Sequence, residues 1–219
     1  MKLLLCIHLM CFGVVDAEKS AQTPSIDAWY TQIGAWHHQK DSLFGKSFIY
    51  HDADLDGLSS GQATSNVRLN RGFNGLNKFI GRMCLGPAPA MAGLLVKNKK
   101  TAYIFLIKKE NQGSFLQISR RDKKVSPIFE TPFSLPDTFE LCLVLKKDSL
   151  IVSAEDKKTS IARPKDLSGR LWVGFECLQG AVKVFGAEAA SDSGEIRETF
   201  EKATLMNLHL EKMFAPKKN

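Results

Sequence analysis

The sequence predicts an all-β protein: two antiparallel sheets packed as a jelly-roll sandwich, followed by a C-terminal amphipathic helix. Three observations carry this. Between Phe79 and Ser119 (FIGRMCLGPAPAMAGLLVKNKKTAYIFLIKKENQGSFLQIS), apolar runs of strand length are cut by GPAPA, KNKK and ENQG, which are turn signals. Thr138 to Lys146 (TFELCLVLK) alternates cleanly, with Phe139, Leu141, Leu143 and Leu145 on one face and Glu140, Cys142, Val144 and Lys146 on the other. Period two is the mark of a sheet with one buried face. From Glu195 on the period changes, and Ile196, Phe200, Ala203, Leu210 and Phe214 fall on one helical stripe with Met206 and Met213 at its edge.

Residues 1–17 (MKLLLCIHLMCFGVVDA) have a charged Lys2, an apolar run from Leu3 to Val15 and a small-residue site ending at Ala17. This is the pattern of a signal peptide cleaved before Glu18, and the apolar run is short for a membrane span. The expected location is therefore secreted, periplasmic or extracellular, with no transmembrane segment after cleavage. Residues 18–25 (EKSAQTPS) are a polar lead. The sandwich domain is expected over 26–190. Trp29, Ile33, Trp36, Leu43, Phe48 and Tyr50 are spaced like short strands around Gly34 and Gly45, and HDADLDGLSSGQ reads as a loop. Asn66 to Leu69 reads as a further strand, and RGFNGLN as a turn region. Phe79, Gly81, Met83 and Leu85 form an inward set, leaving Arg82 outward. Val125 to Phe133 is extended but broken by Pro127 and Pro132. LIVSAE and LWVGFEC follow, the latter with Leu171, Val173, Phe175 and Cys177 inward, and then AVKVFGAEA. Many short strands with closely spaced turns mean a sandwich or barrel. Asp192 with Glu195 three residues later reads as a capping signal, which places a helix and basic tail over 191–219.

The chain has 219 residues, 44% hydrophobic and 24% charged, an ordinary globular composition. Past the signal only Cys84, Cys142 and Cys177 remain, an odd number that excludes a disulfide scaffold. Net charge is +7, and the lysines and arginines come in knots at strand ends and turns: Lys97 with Lys99 and Lys100, Lys108 with Lys109, Arg120 and Arg121 with Lys123 and Lys124, Lys146 with Lys147, Lys157 with Lys158. Lysine at edges blocks edge-to-edge pairing, and the same charge attracts anionic glycans or a membrane surface. Nucleic acid is not expected, since no basic stretch is interleaved with stacking aromatics.

IGAWHHQKDSLFGK, then KFIGRMCLG with AGLLV and YIFLI, then FELCLVLKKDSLIVSAEDK, then SGRLWVGFECLQGAVKVFGAEA form an ordered series of strand segments. The series resembles the concanavalin A-like lectin and glucanase sandwich, and within it the 3-keto-disaccharide hydrolase-like extracytoplasmic domains. The likeness spans about residues 30 to 190 and rests on strand punctuation, so it implies a fold more than an activity. Asp41-Ser42 stands where that pattern has Asp-Gly, and no Glu-x-Asp-x-Glu strand of a glucanase occurs.

Two constellations bear chemistry. Asp52, Asp54 and Asp56 alternate before Gly57, as at the start of a calcium loop, where carboxylate oxygens converge and glycine permits the turn. The twelfth position is Ala63, so this is not an EF-hand. A Ca2+ site, a solvated acidic turn and an acidic strand face are the alternatives. Arg82, Glu140, Trp172 and Glu176 all lie opposite the core-facing sets of their strands. If those strands are neighbours they share an outer face, with Glu140 and Glu176 as a catalytic acid–base pair and Arg82 and Trp172 as ligand-binding residues, the indole offering a plate for a sugar ring. Alternation alone also predicts polar outward residues. His37 and His38 are adjacent and point to opposite faces of a strand. No Gly-x-Ser-x-Gly and no phosphate loop occurs. The expected function is an exported, non-catalytic sandwich binding carbohydrate or an anionic cell-surface component. The alternatives are a hydrolase of the keto-disaccharide type and a structural or interaction protein.

Overall fold

The computed structural model describes residues 28–49, 63–121, 125–155, 157–192, 194–200 and 205–207. Every regular element among them is a strand. The first part of the chain forms β1 (Trp29–Ile33), β2 (Ala35–Gln39), β3 (Ser42–Lys46), β4 (Phe48–Ile49) and β5 (Ala63–Phe73). The Phe79–Ser119 region supplies β6 (Leu76–Leu85), β7 (Ala90–Lys97), β8 (Ala102–Glu110) and β9 (Gly113–Arg121). Then come β10 (Val125–Phe133), β11 (Phe139–Leu145), β12 (Ser149–Ala154), β13 (Lys157–Ala162), β14 (Leu171–Gln179), β15 (Ala181–Ser191), β16 (Gly194–Thr199) and β17 (Leu205–Asn207).

The strands make two sheets. One has nine strands in the order β10-β9-β8-β7-β14-β5-β1-β17, with β4 also on β5. The other has eight, in the order β13-β12-β11-β6-β15-β3-β2, with β16 also on β15. KNKK and ENQG close the β7–β8 and β8–β9 hairpins, as their turn chemistry predicts. Asn74-Gly75 behaves differently. A two-residue Asn-Gly link usually makes a hairpin, but β5 and β6 lie in different sheets, so here it carries the chain across the sandwich. GPAPA makes the return crossing from β6 to β7. Pro127 and Pro132 fall on β10, an end of its sheet, with a register shift just after Pro127. Proline cannot donate to a ladder, so an edge strand is where it is tolerated.

The core lies between the sheets and is built from the alternating inward sets. Phe79, Met83 and Leu85 of β6, the Phe139–Leu145 set of β11 and Leu171, Val173, Phe175 and Cys177 of β14 all belong to one buried cluster. Phe175 is its hub, stacked on Trp29 with ring centroids 5.5 Å apart and in contact with Phe79 at 5.7 Å. Each such pair contributes about 0.5–1.5 kcal/mol beyond its buried area. Gly81 makes room for it: a Cβ there would stand 2.5 Å from Phe175 Cε1 and 2.8 Å from Leu94 Cδ2.

The helix expected after Glu195 is corrected over the described residues. Gly194–Thr199 is strand β16, antiparallel to β15, and Leu205–Asn207 is strand β17, parallel to β1. Residues 201–204 and 208–219 lie outside the described residues. Asp192 does not cap a helix. It sits in the tight turn between Ser191 and Gly194, which pair with each other. The Ile196-to-Phe200 spacing fits a strand as well as a helix, because four is a multiple of two. Phe200 is fully buried and meets Trp29 edge-on at 5.2 Å.

Candidate functional site

The four residues expected to share one outer face do not. Arg82 on β6 and Glu140 on β11 are cross-strand partners in the eight-stranded sheet. Trp172 and Glu176 are on β14, in the nine-stranded sheet. Each pair points away from the core, on opposite sides of the sandwich. Packed sheets are about 10 Å apart before side chains are added, whereas glycosidic carboxylate pairs lie within about 9.5 Å. Glu140 and Glu176 therefore cannot flank one bond. Alternation reports a residue's relation to the core; it does not report which sheet the strand joins.

Glu176 is also sealed. It is 0% exposed and its Oε1 accepts hydrogen bonds from Arg121 Nη1 and from Thr64 Oγ1 at 2.6 Å. Arg121 is 3% exposed and comes from β9, three strands from β14, with β7 and β8 between them. Gly93, the β7 partner of Glu176, puts no side chain between them. A buried carboxylate tied to a guanidinium in this way is a clamp across the sheet, and its charge is already compensated.

The cavity next to Trp172 is the larger of the two described below. It measures about 740 Å³ and opens where the β7–β8 hairpin tip, the end of β9 and the loop from 163 to 170 meet the start of β14. Asn98 joins two of these walls. Its Oδ1 accepts from the Lys100 and Thr101 backbone amides at 2.8 and 2.9 Å, and its Nδ2 donates to the Asp166 carbonyl at 2.6 Å. The loop is held from the other side by Arg163, which donates to the Lys146 and Leu167 carbonyls, and by the fully buried Leu167. Asp166 is the one carboxylate among the described residues of the lining. It accepts from the Tyr103 hydroxyl at 2.7 Å and pairs with Arg120 at 3.0 Å. Trp172 packs over Gly72, where a Cβ would stand 2.9 Å from the indole and 2.6 Å from Arg170 Nε. The guanidinium carbons of Arg68 and Arg170 lie 5.8 and 5.7 Å from the indole centroid, within cation–π range. Asn98, Asp166 and Arg170 were not singled out by the sequence. The signal for Asn98 was its place in KNKK, since asparagine in a turn bonds its own backbone.

A second cavity of about 270 Å³ lies on the eight-stranded sheet and contains Arg82, Glu140, Phe185, Glu188 and Arg197. Here charges alternate in sign, with Arg197 Nε 3.8 Å from Glu188. Nucleophilic cysteine chemistry is not supported. Cys84, Cys142 and Cys177 are free thiols, burial pushes the Cys177 thiol up to about 12, and burial also raises Cys142. His37 and His38 are both exposed on β2. Asp52, Asp54 and Asp56 lie outside the described residues. Among the described residues no three His, Cys, Asp or Glu side chains gather as a metal site, and no helix is long and apolar enough to cross a membrane.

No family model and no curated protein matches the sequence. Solved structures do match in fold. A carbohydrate-binding module, CBM66 from Bacillus subtilis, is 14% identical with a TM-score of 0.54, over 73% of this chain and 93% of that one. A GH16 protein of the Bacteroides ovatus mixed-linkage glucan locus is 7% identical with a TM-score of 0.50, over 74% and 87%. The catalytic domain of an endo-1,3-β-glucanase from Thermotoga petrophila is 6% identical with a TM-score of 0.50, over 75% and 92%. These are concanavalin A-like sandwiches, and at such identities the likeness concerns the fold alone.

Proposed function

We propose that this chain is an exported, non-catalytic sandwich that binds carbohydrate in the cleft beside Trp172. The observation that carries the reading is the cleft's construction: an indole wall fixed by Gly72 and two arginines, facing Asn98, Thr101 and Ser168 across about 740 Å³. An apolar plate with a few placed hydrogen-bonding groups is the chemistry that holds a sugar ring. Among the described residues the lining has one carboxylate, Asp166, already engaged by Arg120 and Tyr103, so no acid–base pair of described residues faces a ligand there. The fold-level likeness to a carbohydrate-binding module supports the same reading by analogy.

The test is a glycan array followed by titration and a hydrolysis assay. The protein is expected to bind at least one glycan and to release no sugar, and Trp172→Ala should weaken binding at least tenfold, about 1.4 kcal/mol. Unchanged binding in that variant would remove the cleft from the reading. A second reading, a hydrolase of the 3-keto-disaccharide type, draws on Glu140 and Glu188 lining one cavity. Hydrolysis that Glu140→Gln abolishes would replace the first reading with this one. Export with cleavage after Ala17 belongs to the proposal and is checked by the mass of the secreted chain. A calcium loop at Asp52, Asp54 and Asp56 would show as a lower melting temperature after chelation.

A further inference from the structure

We infer that the cleft beside Trp172 takes an acidic saccharide, and that it reads the sulfate ester or uronic carboxylate as well as the ring. This rests on the carbohydrate-binding reading above and names its ligand class. Among the described residues, the lining carries four cations, Lys99, Lys100, Arg120 and Arg170, against the single carboxylate of Asp166. Asp166 is already held by Arg120, by the Tyr103 hydroxyl and by Thr101 Oγ1 at 3.4 Å. The surplus positive charge therefore sits on Lys99, Lys100 and Arg170, none of which pairs with a carboxylate among the described residues. A neutral sugar gives three such cations nothing to neutralise. An anion on a sugar ring does, and Arg170 beside the indole offers a planar fork for a carboxylate or sulfate at the edge of a stacked ring.

The cations are also presented on a fixed frame. The hairpin tip that bears Lys99 and Lys100 is fastened to the 163–170 loop by Asn98, so ligand binding does not have to order it. A membrane surface fits less well. The site is a concave cleft, and the one large exposed apolar side chain among the described residues, Ile128, is not part of its lining. Nothing there would insert between lipids.

The experiment titrates the full secreted protein with a heparin-derived hexasaccharide, an oligogalacturonate, maltohexaose, a poly-glutamate peptide and phosphatidylserine vesicles. The first two separate sulfate from carboxylate as the anion. At least one should bind tenfold or more tightly than maltohexaose. That binding should weaken roughly tenfold when salt rises about fourfold, because released counterions and screening oppose it. Both the Lys99→Ala/Lys100→Ala pair and Arg170→Ala should weaken it at least tenfold, with unchanged melting temperatures. Equal binding of maltohexaose overturns the inference and leaves the carbohydrate reading standing. Poly-glutamate or vesicles binding as tightly, with no loss in Trp172→Ala, also overturns it, because the cleft would be reading charge without sugar. No binding to any saccharide overturns both readings.

Discussion

Glu140 and Glu176 occupy equivalent places on their strands. Each is flanked in sequence by residues of the buried core, Phe139 and Leu141 for one, Phe175 and Cys177 for the other. Each points away from that core. Glu140 is exposed beside Arg82, in a small cavity of mixed charge. Glu176 is fully buried, held by Thr64 from the neighbouring strand β5 and, from the other side, by Arg121 three strands away on β9. The outer face of the nine-stranded sheet carries a second buried apolar cluster, Leu95, Ala102, Ile104 and Leu106, which runs beside the clamp. The outer face of the eight-stranded sheet keeps an ordinary polar alternation. Facing away from the core is thus not the same as facing water. What decides it is which strands lie beside the residue, and those are brought there by crossovers that alternation does not encode.

The largest test of this contrast is Glu176→Ala. It would remove the buried carboxylate that both the Arg121 guanidinium and the Thr64 hydroxyl donate to. The expected loss is about 3–5 kcal/mol, read from urea midpoints at constant m. Replacing Arg121 and Glu176 together by leucine should recover most of it, because the cost comes from burying the guanidinium without the Glu176 carboxylate. A loss under about 1 kcal/mol in Glu176→Ala would mean that this face is solvated after all, and the contrast with Glu140 would collapse.

Gly81 and Arg82 give a smaller test on adjacent residues of β6. Gly81 faces the core, and Gly81→Val would drive methyl groups into Phe175, Leu94 and Met83, with an expected loss of about 1–3 kcal/mol. Arg82→Ala faces outward and should change stability by about 0.5 kcal/mol or less. Asn98→Ala sharpens the same division at the cleft. It removes the acceptor for two backbone amides and the tie to Asp166, for about 1 kcal/mol. Its greater effect should be on ligand affinity, since the hairpin and the loop would no longer be held together. An affinity unchanged by Asn98→Ala would show that the cleft's frame does not depend on that side chain.

The inward sets of β6, β11 and β14 could be read from sequence because strand alternation is local: each residue's neighbours at i±2 report on it. The turns at KNKK and ENQG were legible for the same reason. The start of the expected C-terminal helix has a local cause too, since the apolar spacing around Ile196 fits either period and only pairing with β15 selects the strand. The cleft was not legible. Asn98 and Asp166 are 68 residues apart, and Arg121 and Glu176 are 55 apart. Their meeting depends on β14 inserting between β5 and β7, a choice of sheet order made by the whole chain. The outward parity of Trp172 is local, whereas nothing local places the Arg170 guanidinium, two residues before it, against the indole.

The smallest expected effect is Glu140→Ala, and it bears on both the comparison and the alternative function. The side chain is exposed, and an exposed cross-strand partner such as Arg82 adds only about 0.2–1 kcal/mol. The variant should therefore fold with a midpoint close to that of the parent and bind glycan unchanged, because its cavity is on the opposite sheet from Trp172. If affinity for an acidic saccharide falls with Glu140→Ala while Glu176→Ala behaves as expected, the ligand occupies the eight-stranded face. The Arg82–Glu140–Glu188–Arg197 cavity would then be the site, and its volume of about 270 Å³ would limit the ligand to roughly one ring. A cleft ligand and a cavity ligand are thus told apart by one surface carboxylate whose loss leaves the fold intact.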